Sequence, residues 1–163
     1  MSICADSPGQ LYNADWRAIL GKPKLDKHQR DVELLLRVFA MFDRSEKYEK
    51  PMKEFLNQTM KEHIAGKTPK FLTFASLLPV VAKAIKSQLP PKPFHVRGPV
   101  NLAVLDSVTS VLISGADKIP TDLGDRFKRL LADEKFKSYV FFSTSDTVSV
   151  KSRIEIARKY LLN

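Results

Sequence analysis

The residue types that most often do chemistry are sparse in this chain and poorly spaced for it. Its three histidines, His28, His63 and His95, lie far apart, and none has a second histidine or a carboxylate at the spacing of a metal-binding box. No metal site is expected. His28 at a charged helix start and His63 in a last helical turn read as solvated residues, the latter also favoured by the helix dipole. His95 stands in a loop near Arg97, within reach of a phosphate, although plain exposure explains it more simply. Segments of the form GxxxxGK(S/T), GxGxxG or GxSxG do not occur, so neither a phosphate-cradling loop nor a serine nucleophile elbow is present. No cofactor is expected. The nearest approach to a titratable cluster is His28, Asp31, Glu33 and Arg37, whose spacing describes an ordinary helix face rather than a catalytic centre. Glu33 and Arg37, four apart, suit a surface ion pair. No catalytic residue is assigned, and the chain is not expected to be an enzyme.

Binding is the alternative, and the charge balance favours it. Among 163 residues, 27 Lys and Arg face 18 Asp and Glu, a formal charge of +9 that attracts polyanions. The bland explanation is that this charge keeps the domain in solution or complements an acidic neighbour. The basic residues gather in three clusters: Lys22, Lys24, Lys27 and Arg30; Lys83, Lys86, Lys92 and Arg97; and Lys151 and Arg153, followed by Arg158 and Lys159. Together they predict a phosphate-tracking surface for DNA. Aromatic residues interleave poorly with them, so a stacking platform has weak support, and no helix-turn-helix or zinc finger is evident.

The elements that must carry these groups are predicted from apolar periodicity. Residues 1–11 form an irregular arm, and 12–163 a single mainly α domain: a bundle of six to seven helices, with sub-lobes 12–89 and 99–163 joined by a Pro-rich loop over 90–98. Helices are expected over 13–20, stopped by Gly21; 26–42, the central helix, capped at Asp26; 50–64, with Pro51 in its first turn; and 71–89, kinked or split by Pro79. Further helices are expected over 100–114 and over 121–131, the latter capped by Thr121. A last one ends in Ile154, Ala157 and Leu161, capped by Thr144, Ser145 or Thr147. That capping leaves its N-terminus a modest anion site at most. The aromatic run within 136–145 reads as a short strand, a hairpin or a buried turn.

The lone Cys4 permits no intramolecular disulfide and suits a reducing, cytoplasmic setting. No apolar run approaches the roughly 20 residues that a membrane span needs, and no membrane partner is expected.

Several stretches are similar to a known family. The segments 15–22 (DWRAILGK), 30–42 (RDVELLLRVFAMF) and 52–57 (MKEFLN), with Tyr48, resemble the helical region that follows the ParB-like nuclease domain of GmrSD-type restriction and phage-defence proteins. So do 101–106 (NLAVLD), Phe136, Thr144 and 150–154 (VKSRI) near the end of the chain. The resemblance implies a helical fold and singles out Trp16, Glu33, Arg37, Phe39, Asn101, Asp106, Thr144 and Arg153 as its structural motif. The family's DGQQR motif and HNH domain are absent, so no catalytic residue carries over. What remains is a non-catalytic module that binds DNA through its basic face or docks on a separately encoded ParB-like nuclease subunit; a pure assembly domain or remnant is the alternative. Met1 lies near the start of the family's helical region, which implies a split subunit, a truncated product or a free-standing version of it.

Overall fold

Helix α5, Leu102–Ser114, organises the molecule: every side chain from Ala103 to Ile113 is buried, as a helix enclosed on all sides requires. In the computed structural model, which describes residues 13–22, 24 and 30–163, it lies against α2 (Arg30–Arg44), α4 (Phe71–Gln88), α7 (Glu134–Phe141) and α8 (Thr147–Leu162). Helix α3 (Met52–Ile64) packs on α2, α6 (Leu123–Ala132) on α7 and α8, and the short α1 (Ala14–Ile19) along α4. Eight α-helices and two 3-10 turns, Ser45–Lys47 and Ala116–Lys118, make up the described residues, with no strand among them. The fold is thus mainly α, as expected, with one helix more than the periodicity suggested. The arm over 1–11, together with Asp26, Lys27 and His28, lies outside the described residues.

Local chemistry accounts for the helix boundaries. The Asn13 side-chain oxygen accepts the Trp16 amide at 2.8 Å to start α1, and Asn101 accepts the amides of Ala103 and Val104, both at 3.0 Å, to start α5. Each satisfies amides that have no partner inside the helix. Helices α1 and α3 end alike. Gly21 (φ 63°) and Gly66 (φ 71°) adopt the left-handed conformation, and the following amides of Lys22 and Lys67 return to the Arg17 and Glu62 carbonyls.

Several expectations are corrected. The aromatic run of 136–145 is not a strand: Glu134–Phe141 is helix α7, because Asp133 accepts the Phe136 amide at 2.8 Å and starts a turn that buries Phe136 and Val140. Pro79 does not split α4, which is one helix from Phe71 to Gln88. Pro51 lies at the N-cap of α3 rather than inside it. The N-cap of α6 is Asp122, not Thr121. That of α8 is Asp146, and neither Thr144, Ser145 nor Thr147 caps it. The Thr147 hydroxyl instead accepts the Lys50 amide and donates to Glu49, both at 3.3 Å, stitching α8 to the start of α3. No helix is long and apolar enough to cross a membrane among the described residues.

Candidate nucleic-acid interface

Lys86 and Lys92 of the second basic cluster approach α1 and the Gly21–Lys22 segment where the first cluster begins. Helix α1 lies along α4, and the Lys86 ammonium reaches Asp15 at the start of α1 at 2.9 Å. From the other side, the 90–98 loop brings Lys92 down onto the end of α1. A Cβ built on Gly21 would stand 2.8 Å from Lys92 Cε, so the lysine stem lies directly across this glycine. Lys92 itself adopts φ 51°, a conformation that costs a residue with a side chain roughly 1–2 kcal/mol. Lys22 is half-buried beside this contact, while Lys24, Lys83, Lys86 and Lys92 are exposed. Arg30 is exposed at the start of α2.

The face has an apolar floor. One groove of about 400 Å³ is lined by Ala18 and Ile19 from α1, Leu89 and the prolines 90, 91 and 93, with Lys86 and Lys92 at its rim. A second, of about 420 Å³, continues from it across Leu89 and Pro90 to Phe127 and Leu131 of α6, with Lys128 at its rim. Lysines are the only charged residues lining either groove. Within the second groove α6 packs closely on the end of α4: a Cβ on Gly124 would sit 2.7 Å from the Gln88 carbonyl oxygen. The Gln88 side chain also accepts the Leu123 amide at 3.2 Å. A separate depression of about 260 Å³ between α2, α5 and α8 is mixed in charge, setting Glu46 against Lys70 and Arg158.

The remaining basic residues point elsewhere. Arg153 was expected to contact phosphate, but its side chain is fully buried. Its guanidinium spans both Asp106 oxygens at 3.1 and 3.2 Å, reaches the Ser107 hydroxyl at 2.9 Å and donates to the Thr144 carbonyl, leaving nothing for a ligand outside. Arg97 lies over the Phe141 ring, 3.6 Å from its centre. Lys151 faces Glu49 at 3.8 Å, and Arg158 donates to Ser114 at 3.3 Å. The third cluster therefore does not extend the lysine face.

Arg153 belongs instead to a buried network that collects four of the motif residues. Arg37 turns away from exposed Glu33 and donates through Nε to Asp106 at 2.7 Å, so the expected surface pair is not formed. Asp106, fully buried on α5, thereby holds α2 and α8 together through two guanidinium groups. Thr144 contributes its carbonyl, and next to it the Tyr48 hydroxyl donates to the Ser145 carbonyl at 2.6 Å. Burial pushes the Tyr48 hydroxyl above the ordinary tyrosine range. Trp16 and Phe39 are fully buried in the apolar core, and Asn101, besides capping α5, donates to the Val140 carbonyl at 3.0 Å.

No family model, curated protein or solved structure matches this chain. Among the described residues weighed as titratable candidates, Arg37 and Asp31 are each paired within the fold. Asp31 is buried against Arg17 at 2.5 Å. His63 is not solvated: it is buried among Phe39 and Phe71, with Nδ1 2.8 Å from the Thr68 hydroxyl. His95 is half-buried. The contact of Lys92 with Gly21 and the two grooves have no local signature, since they join segments distant in sequence; the one available signal is Gly21, read only as a helix stop.

Proposed function

We propose that the chain is a non-catalytic helical module that binds nucleic acid through the face carrying Lys22, Lys24, Lys83, Lys86 and Lys92. The observation that carries this reading is the packing of Lys92 over Gly21, with Lys86 at the start of α1, which brings part of the second cluster to where the first begins. Lysines act as point charges on phosphates, and a cluster of them supplies sequence-independent affinity through counterion release. A place in a restriction or phage-defence system belongs to the same proposal and rests on the family resemblance.

Fluorescence anisotropy of labelled DNA across a salt series tests the reading. Binding should be measurable at low salt and fall steeply as salt rises, and Lys86→Glu with Lys92→Glu should abolish it while leaving the helical circular dichroism spectrum intact. Absence of binding at low salt refutes the reading. In that event, docking on a separate protein subunit becomes the better account. It is favoured by one observation: Ile64 and Leu72, on either side of the 65–70 connection, are 60% and 79% exposed. Co-purification with a nuclease subunit, lost on Leu72→Glu, would test it.

A further inference from the structure

We infer that the lysine face takes an unpaired nucleic-acid strand in preference to a duplex, its bases entering the two apolar grooves. This rests on the nucleic-acid reading above and goes beyond it.

Three features of the face point to this substrate. First, lysines are the charged residues that line both grooves, with Lys86 also paired to Asp15, and the floors are all but apolar: Lys86 and Lys92 stand over Ile19, Leu89 and the prolines, and Lys128 over Phe127 and Leu131. A partner filling this surface must present negative charge at the edge and flat apolar surface inward. Second, the pattern occurs twice side by side, with Leu89 and Pro90 as a shared wall. A nucleotide strand repeats in the same way, coupling one anionic phosphate to one flat ring per unit. Third, Lys92 adopts a left-handed backbone conformation with its stem carbons laid across Gly21, which brings this exposed lysine to the groove edge. Strain of that kind persists only where the surrounding structure imposes it.

A duplex offers this surface phosphates only, because its bases are stacked inside and the grooves stay empty. An unpaired strand offers both parts. Bases stack on aromatic rings irrespective of sequence; here the exposed rings of Pro90 and Pro91 offer the apolar surface, since Phe127 is almost wholly buried. The sequence contains no aromatic interleaving to announce this, since Leu89, Pro90 and Ile19 come together only through the packing of α1 on α4.

The test compares a labelled oligothymidylate with a duplex of the same length, by anisotropy on the full chain at low salt. The strand should bind about tenfold more tightly than the duplex. Ala18→Trp, at an exposed helical position lining the first groove, fills the slot without altering charge and should collapse that ratio toward one. Photocrosslinking with 4-thiothymidine in the strand gives a readout independent of any substitution, and crosslinks should fall within residues 18–19, 89–93 or 127–131. Equal affinity for strand and duplex, a ratio unmoved by Ala18→Trp, or crosslinks confined to other surfaces would each overturn the inference while leaving general DNA binding standing. Loss of both strand and duplex binding in the wild-type chain would instead remove the underlying reading. Displacement of the strand by a peptide alternating Glu and Leu, at lower concentration than the strand itself requires, would overturn it in favour of a protein partner.

Discussion

Replacing Asp106 by Asn removes one negative charge from a site that water does not reach, and leaves two guanidinium groups facing each other. The geometry sets the scale. Asp106 and Arg153 are fully buried and Arg37 is 9% exposed, so neither cation can turn outward and be solvated without dragging its helix. The carboxylate accepts from Arg37 Nε at 2.7 Å and from Arg153 Nη2 at 3.1 and 3.2 Å. Removing one partner of a buried ion pair costs about 3–5 kcal/mol, because the charge left behind is uncompensated. For a chain of this size each kcal/mol lowers Tm by about 2–4 °C, so Asp106→Asn should melt roughly 6–20 °C below wild type. Thermal and urea unfolding followed by circular dichroism read this directly. The triple variant Arg37→Met, Asp106→Leu, Arg153→Met should recover most of that loss, since an apolar replacement of a whole buried charge network is near neutral. A loss below about 1 kcal/mol for Asp106→Asn would mean that the network is hydrated, and the account of α2 and α8 held together across α5 would fail.

Other perturbations test other parts of the packing. The Thr109 hydroxyl is fully buried with no hydrogen-bond partner, so Thr109→Val should raise stability by about 1 kcal/mol and Tm with it, and a decrease would show a hidden partner. Gly124→Ala must push α6 away from the Gln88 carbonyl, which a Cβ would approach to 2.7 Å; a loss of about 1–3 kcal/mol in urea melts is expected. The Asp133 carboxylate is held below the ordinary range, first by the Phe136 amide and then by the Tyr160 hydroxyl, against the opposing effect of burial. A lowered folded value means its stabilisation is complete above the unfolded pKa of about 3.9 and is lost as pH falls through the lower folded value. Asp133→Ala should therefore cost about 1 kcal/mol at neutral pH, with the deficit shrinking in melts run at progressively lower pH below about 4.

The helices were legible because their apolar spacing is local. Phe74, Leu78, Val81 and Ile85 repeat at three and four residues along α4, and the structure buries all of them. Which helix is central was not legible in the same way. The stretch 26–42 has a clear contrast between its faces, but such contrast marks a helix with one face in water; the enclosed helix is α5, whose uniform burial erases the periodicity. Residues 136–145 misled for a related reason: Tyr139, Val140, Phe141 and Phe142 have strand propensity, and the Asp133 cap with the packing of α7 on α8 overrides it. The candidate site was half legible. Lys22, Lys24, Lys83, Lys86 and Lys92 could be picked out by type, but Arg153 could not be separated from them, because its burial depends on Asp106 and Ser107 in another helix.

That separation follows a physical division between the two kinds of cation. Arg17, Arg37, Arg44 and Arg153 are all buried, and each is paired with a carboxylate: Asp31, Asp106, Asp43 with Glu62, and Asp106 again. No lysine is buried among the described residues. A guanidinium sheds water more readily than an ammonium and offers a fork of donors to satisfy inside the fold, so these four arginines hold the packed elements together, while lysines and the exposed Arg30, Arg97, Arg129 and Arg158 carry the outward charge. The consequence bears on recognition. Bidentate reading of a guanine edge needs an arginine or a lysine placed in a groove by a fitting element, whereas Lys86 and Lys92 sit at the rim of an apolar slot. Affinity should then vary little between sequences and depend strongly on salt, with the slope set by the number of lysines engaged. If the proposed face binds nucleic acid, substituting Lys92 should weaken all strands alike, and a variant that weakened only some sequences would refute this part of the proposal.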